Sequence, residues 1–302
     1  MINRLKKNKI IINIRYIYFL IRYCLMKKNK LNILNDEDSI DEIINKRKSI
    51  CRYGDGEFKW LLNIKQNSFQ SQNKLLQEKL EEVLQDTDNQ NMIIGIPIMF
   101  NSLKDYNYDA KNYWMPFLVK NYKKIYKHLN KDYTYCNASF TRPYIDFKDK
   151  SSSVMDRKFS LLRKIWDNKN IIIVEGEFSR LGIDNDLFDN SNSIKRIICP
   201  STNAFDKYDE IKEAITKLEK DNLILLSLGP TATVLASDLS KIGYQAIDIG
   251  HIDIEYMWYL NKCTKKVPIK GRLVNEARTS DKSHLNINNK NYEKQIINKI
   301  KD

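Results

Sequence analysis

Histidine is scarce in this sequence: 302 residues contain only His128, His251 and His284, too few for a His-rich metal site. Cysteine offers no disulfide framework and no zinc site either. Cys24, Cys51, Cys136, Cys199 and Cys263 are odd in number, scattered and never in CxxC spacing, so they read as free thiols of a reducing compartment. No stretch rich in Pro, Gly or Ser divides the chain, and no internal repeat, Walker loop or GxGxxG fingerprint occurs. The apolar run at 10–26, IIINIRYIYFLIRYCLM, is interrupted by Arg15 and Arg22. It lacks the small-residue cleavage site of a signal peptide and falls short of a membrane span.

What is present is enough apolar material, 42% of the residues, for one large α/β domain or two small ones. Lys and Arg (51) outnumber Asp and Glu (38), for a net charge of +13. That excess suits a polyanionic partner, although much of it sits near the two ends, where it also serves solubility. With lysines on both flanks, the run at 10–26 is read in two ways: a basic, aromatic-rich helix on an anionic membrane surface, or a helix packed on the domain.

The densest local signal is Cys51-Arg52-Tyr53-Gly54-Asp55-Gly56-Glu57-Phe58, with two carboxylates two residues apart between glycines. In an extended or turn conformation Asp55 and Glu57 point to one side, and the glycines let a ligand approach. Such a pair suits a hard cation, Mn²⁺ or Mg²⁺, which takes one or two carboxylates plus the oxygens of a diphosphate. A plain surface turn is the competing reading.

Helical patterns at 39–47 and near 70–86 precede a change of period. Short β-branched runs recur at 92–96, 133–137, 171–174, 194–199, 223–228 and 245–249, with helix-like segments between most of them. This alternation predicts a Rossmann-like, mainly parallel sheet with helices on both faces. Ligands of such sheets bind outside the carboxyl ends of the strands, and the residues after each run are polar: Ser139, Thr141 and Arg142; Glu175, Glu177, Ser179 and Arg180; Ser201, Thr202 and Asn203. The last two runs lead into Gly229-Pro230-Thr231 and into Asp248, Gly250, His251, Asp253 and Glu255.

At 228–234 the chain passes from strand through Gly229 and Pro230 into an apolar helix. The free amides of that first turn, with the Thr231 and Thr233 hydroxyls, are a candidate anion site, or simply the start of a core helix. His251 has carboxylates two and four residues on, able to orient its ring. Asp184-Asn185-Asp186 is a lesser metal candidate.

Taken together, RYGDGE at 52–57, TRPY at 141–144, VEGEFSRLGIDNDLF at 174–188, CPSTNAF at 199–205, LGPTATVLASDL at 228–239 and DIGHIDIEYMW at 248–258 resemble the bacterial glycosyltransferases of the GT-D fold, over roughly residues 35–260. The resemblance implies a metal-dependent transferase of a UDP-sugar. By position Asp55 and Glu57 would serve the metal and diphosphate, and the loops at Thr202-Asn203 and Gly229–Thr233 the nucleotide. Arg52 and Arg180 are further candidates for holding it. One departure is Asp184, where the family usually has a small residue before Asn-Asp-Leu-Phe. His251, Asp253 and Glu255 are the candidate bases for the acceptor hydroxyl.

The expected organisation is a basic amphipathic extension at 1–34, a GT-D-like domain at 35–262 and a basic tail at 263–302. The expected activity is transfer of glucose or a related hexose to a lipid- or protein-linked glycan of a bacterial surface polysaccharide or glycoprotein. The place is the cytoplasm, at the inner face of the membrane, with no nucleic-acid partner. Two rivals stand beside it. A nucleotide-sugar hydrolase on the same scaffold would release free sugar with or without acceptor, and a non-catalytic basic module would show no metal-dependent UDP binding.

Overall fold

The computed structural model describes residues 2–66, 69–273, 277 and 289–301, with the side chains of 2–12 excepted. Eight strands form one sheet: β1 Ser49–Arg52, β2 Met92–Ile96, β3 Cys136–Asn137, β4 Asn170–Gly176, β5 Ser193–Cys199, β6 Leu223–Ser227, β7 Gln245–Asp248 and β8 Ile296–Lys299. Their order is β3-β2-β1-β7-β6-β4-β5-β8, and every pairing is parallel.

Parallel strands need crossovers, and among the described residues eight helices supply most of them: α3 Asp55–Leu61, α4 Lys74–Gln85, α5 Tyr108–Ile125, α6 Ser152–Arg163, α7 Tyr208–Thr216, α8 Pro230–Lys241, α9 Ile252–Leu260 and α10 Lys290–Gln295, while α1 Ile2–Leu25 and α2 Asp36–Ile44 precede β1. Because side chains alternate along a strand, Ile172 and Val174 of β4 and Ile224 and Leu226 of β6 join one core with α3, α4, α5, α7 and α8. Their neighbours Ile171, Ile173, Leu223 and Leu225 join the other, with α2, α6 and α9. Each of these fully buried aliphatic side chains contributes roughly 1.5–3 kcal/mol. Covering both faces is why these strands are unbroken Ile/Leu/Val runs rather than alternating ones.

The six expected strands are all present, within a few residues. Two were not foreseen. β1 is only SICR, too short and too polar to stand out, yet it lies in the middle of the sheet. β8 comes from the expected tail, which is therefore not a tail throughout: β8 pairs with β5, and Tyr292 of α10 is buried. Residues 274–276 and 278–288 of that segment lie outside the described residues. Beneath α10, Arg196 of β5 binds the fully buried Glu175 of β4 at 2.6 Å, and the Tyr292 ring lies 4.6 Å from its guanidinium. At the other end α1 packs on α5 through Tyr16, Phe19 and Tyr23, and the Tyr16 ring lies 4.7 Å from that of Tyr108.

Candidate active site at the carboxyl edge of the sheet

β1 and β7 lie side by side, and their last residues are joined by charge. Arg52 donates from Nη2 to Asp248 Oδ1 at 2.9 Å and from Nε to the Asp248 carbonyl at 2.7 Å. Its Nη1 reaches the Ala138 carbonyl at 3.0 Å and Thr141 Oγ1 at 2.6 Å, beyond β3. The guanidinium is thus a strut across three strand ends rather than an arm extended to a ligand. Burial pushes the Asp248 carboxyl above the usual range, and Arg52 acts against that shift.

Directly after β1 the chain starts α3 at Asp55, with Gly54 as N-cap. The expected common side for Asp55 and Glu57 is therefore not found, since residues two apart on a helix are about 200° apart around its axis. Glu57 curls back instead, and its Oε2 accepts the Gly54 N–H at 2.8 Å. Burial pushes its carboxyl up, against the backbone amides that favour the charged form. Asp55 stays at the surface of the cavity, one-third exposed, bound by Lys59 at 2.5 Å and by the Tyr113 hydroxyl of α5.

These residues open onto a cavity of about 860 Å³, within the range of small-molecule sites. Its wall takes Tyr53–Glu57 after β1, Pro97 and Met99 after β2, Ala138, Ser139 and Arg142 after β3, Ser179 and Leu181 after β4. It also takes Ser227 at the end of β6 with Gly229 and Pro230 after it, and Asp248 at the end of β7 with Gly250, His251 and Asp253 after it. Lys59, Lys65, Lys265, Lys266 and Arg272 bring positive charge to it. A smaller cavity of about 80 Å³ shares Phe69, Ser179, Ser227, Gly229, Pro230 and Leu273 with the first and adds Thr202 and Asn203 after β5. Asn203, at φ 53°, accepts the Ser71 N–H at 2.8 Å and donates its own N–H to the Phe69 carbonyl at 2.7 Å. It thereby ties the segment 69–71 beside the small cavity.

Of the residues singled out in the sequence, Arg52, Asp55, Glu57, Gly229, Pro230, His251 and Asp253 line the large cavity, and Thr202, Asn203, Gly229 and Pro230 the small one. Others are not brought there. Glu255 is fully buried, accepting the Tyr144 and Ile145 N–H groups at 3.0 and 2.9 Å, so it acts as an anchor for that loop. Thr231 and Thr233 are also fully buried, and the Thr233 hydroxyl donates to the Arg52 carbonyl at 3.0 Å. Arg180 lines neither cavity and donates to the Gly271 carbonyl at 3.1 Å. Asp253 touches the cavity, but its carboxylate is taken by the Gly182 N–H, Asn185 and Arg272. Asp186 is held by Arg163 at 2.7 Å and Tyr256 at 2.6 Å, and Asn185 by Asp253 at 2.8 Å, and none of the three residues lines either cavity. Asp184 sits at φ 58°, a left-handed conformation that glycine takes most readily and that Asp tolerates better than most other residues.

Several cavity residues were not foreseen. Lys59 had a signal, the Asp55–Lys59 spacing of four on a helix. Tyr113, Phe69 and Arg272 had none, since only the tertiary fold brings them near.

A parallel sheet covered on both faces, with a roomy cavity of apolar and charged side chains across its carboxyl edge, is the framework of enzymes that hold nucleotides there. The chain matches the family described as "Glycosyltransferase GT-D fold" over residues 50–277, and it belongs to that family. It is 35% identical over 264 residues to the Streptococcus pneumoniae glycosyltransferase GlyD, covering 87% of this chain and 32% of that one. Two solved structures superpose with TM-scores of 0.80. One is described as the highly conserved domain of unknown function 1792 with a distinct glycosyltransferase fold, at 35% identity, covering 90% of this chain and 96% of that one. The other, at 34% identity and covering 90% and 100%, is described as a new glycosyltransferase from Streptococcus sanguinis. The chain spans 32–35% of the length of the curated relatives it matches.

Proposed function

We propose that this chain transfers a hexosyl group, glucose or a relative, from a UDP-sugar to a hydroxyl of a lipid- or protein-linked glycan, at the cytoplasmic face of a bacterial membrane. The observation that carries this reading is the joined pair of cavities, with the Asp55 carboxylate on the wall of the larger and the Asn203 loop bordering the smaller. A nucleoside diphosphate-sugar needs a long, two-part site of this kind.

The donor set suits Mn²⁺ or Mg²⁺ carried mainly by the substrate. Among the described residues no three His, Cys, Asp or Glu side chains gather to cage a metal. A cation bound through a diphosphate needs only one or two carboxylates, and Asp55 would hold it, with Glu57 next in line. Such a cation would neutralise charge developing on the departing diphosphate. Lys59, now on Asp55, is near enough to exchange its partner for a phosphate oxygen. The amides at the start of α8, after Pro230, add a helix N-terminus to the same edge. His251, at the start of α9 on the cavity wall, is the candidate to take the acceptor hydroxyl's proton.

The test is a melting-temperature screen of UDP-sugars with and without Mn²⁺, followed by product analysis with and without a glycan acceptor. A ligand bound only by the folded state raises the melting temperature. Acceptor-dependent transfer is expected. Equal free sugar in both arms would make the protein a hydrolase, and no metal-dependent UDP binding would make it a binding module.

A further inference from the structure

The helix α1 is apolar on two opposite sides, and the domain covers only one. Tyr16, Phe19, Tyr23 and the following Met26 pack on the main core. Ile14, Ile17, Tyr18, Ile21 and Leu25, spaced three and four apart and so on a single stripe, are 53–75% exposed. Leaving five large apolar side chains together in water is unfavourable for a chain with no use for them.

Charge says what covers the stripe. The sequence of α1 contains Arg4, Lys6, Lys7, Lys9, Arg15 and Arg22 and no acidic residue, and Lys27, Lys28 and Lys30 follow it. Arg15 and Arg22 are exposed and lie along one edge of the stripe, being about 20° apart around the helix axis. Among the described residues no helix is long and apolar enough to cross a membrane. An apolar stripe edged by cations, with a tyrosine in it, fits the interface of a bilayer that carries anionic lipid.

We propose that α1 docks the protein on an anionic membrane surface, its outward stripe entering the headgroup boundary. The position of the helix gives docking a use. Its Tyr16 lies against Tyr108 at the start of α5, and α5 together with its N-cap contributes Asn107, Asp109 and Tyr113 to the large cavity. A docked α1 brings the cavity wall close to the lipid surface, so the acceptor is one borne by a lipid. That last clause rests on the transferase reading, whereas the docking does not.

Flotation of the full chain with phosphatidylcholine vesicles, and with vesicles that also contain phosphatidylglycerol, tests the proposal without donor or acceptor. Binding is expected only to the anionic vesicles, and it should weaken as salt rises. The doubly substituted Ile17→Ser/Ile21→Ser and Arg15→Gln/Arg22→Gln chains keep the packed face intact. Each should lose about tenfold or more in vesicle affinity with an unchanged melting temperature. Equal binding to neutral vesicles, wild-type binding by both variants, or no binding at all would overturn it. So would light scattering showing a dimer that the Ile17→Ser/Ile21→Ser change dissolves, because the stripe would then be covered by a second copy. A chain that floats with anionic vesicles but turns over no UDP-sugar would refute the transferase and leave the docking in place.

Discussion

A Cβ at position 250 would lie 1.8 Å from Nη2 of Arg52, so Gly250 is a glycine because the guanidinium of the cross-strand strut occupies its side-chain space. Its φ of +45° adds a second reason. Gly250→Ala must displace Arg52 from the buried Asp248, so it should cost about 3 kcal/mol or more of unfolding free energy, the scale of breaking a buried ion pair. Gly229 is the control. It too needs φ +55°, but no atom lies within 4 Å of its missing Cβ, so Gly229→Ala should cost only the backbone strain, about 1–3 kcal/mol. Urea denaturation of both variants measures the difference, and equal costs would mean that the strut yields freely.

Asp55 and Glu57 are expected to agree in activity, and only truncation of the Glu57 side chain should cost stability. Asp55→Asn should abolish metal-dependent UDP binding and lower transfer by roughly 10²-fold or more with the fold intact. Glu57→Gln keeps an acceptor for the Gly54 N–H at nearly the same volume but loses the carboxylate charge, so it should lose the same binding at an unchanged melting temperature. Glu57→Ala leaves that amide without its partner and should cost about 1 kcal/mol besides. Wild-type turnover in Asp55→Asn would remove the metal assignment.

His251→Ala should lower kcat by about 10²-fold or more with little change in UDP affinity, the pattern of a lost acid–base group. A variant whose melting temperature falls while its kcat stays near normal would make His251 a packing residue.

Glu255 gives a prediction in pH. Burial pushes its carboxyl up to about 7 from an ordinary 4.5. The folded state therefore holds a proton that the unfolded chain releases between those values, and stability falls as pH rises across that window. By roughly 1.36 kcal/mol per pKa unit the loss is about 3 kcal/mol. Glu255→Gln can still accept both amide protons and cannot ionise. Its stability should vary less from pH 4.5 to 7 and exceed that of the parent at pH 8. Parallel curves for the two chains would show that Glu255 stays ionised when folded.

The fold was legible because a parallel sheet buried on both faces needs continuous apolar strands, and 171–174 and 223–228 are unmistakable runs. β1 and β8 were hidden for the converse reason: SICR carries only one large aliphatic residue, and IINK lies at an edge with three of its four side chains exposed. The edge that holds the cavity was legible too, because polar residues follow each run. The orientation of individual side chains was not. Glu255 lies four residues from His251 in sequence, yet helix α9 turns it into the core. Likewise the Asp55–Glu57 pair reads as a two-pronged ligand until a helix begins between the glycines.

β1 and β7 share a single registered pair, Ile50 with Ile247, and are otherwise sewn by the Ser49 hydroxyl, which donates to the Tyr244 carbonyl and accepts the Ala246 N–H. The partners in this seam are some 195 positions apart in the chain. In chain order, therefore, β1, β2 and β3 are complete, with one flank of β1 open, long before β7 is made, and β4 and β6 pair with each other without them. Union of the two half-sheets closes the longest loop of any strand pairing in the sheet, which makes it the most costly in chain entropy. The cavity comes into being only with that union, so a partly made chain has strands and hydrophobic surface but no place for a substrate. Until then the flank of β1 is an open strand edge, the kind that pairs with other chains.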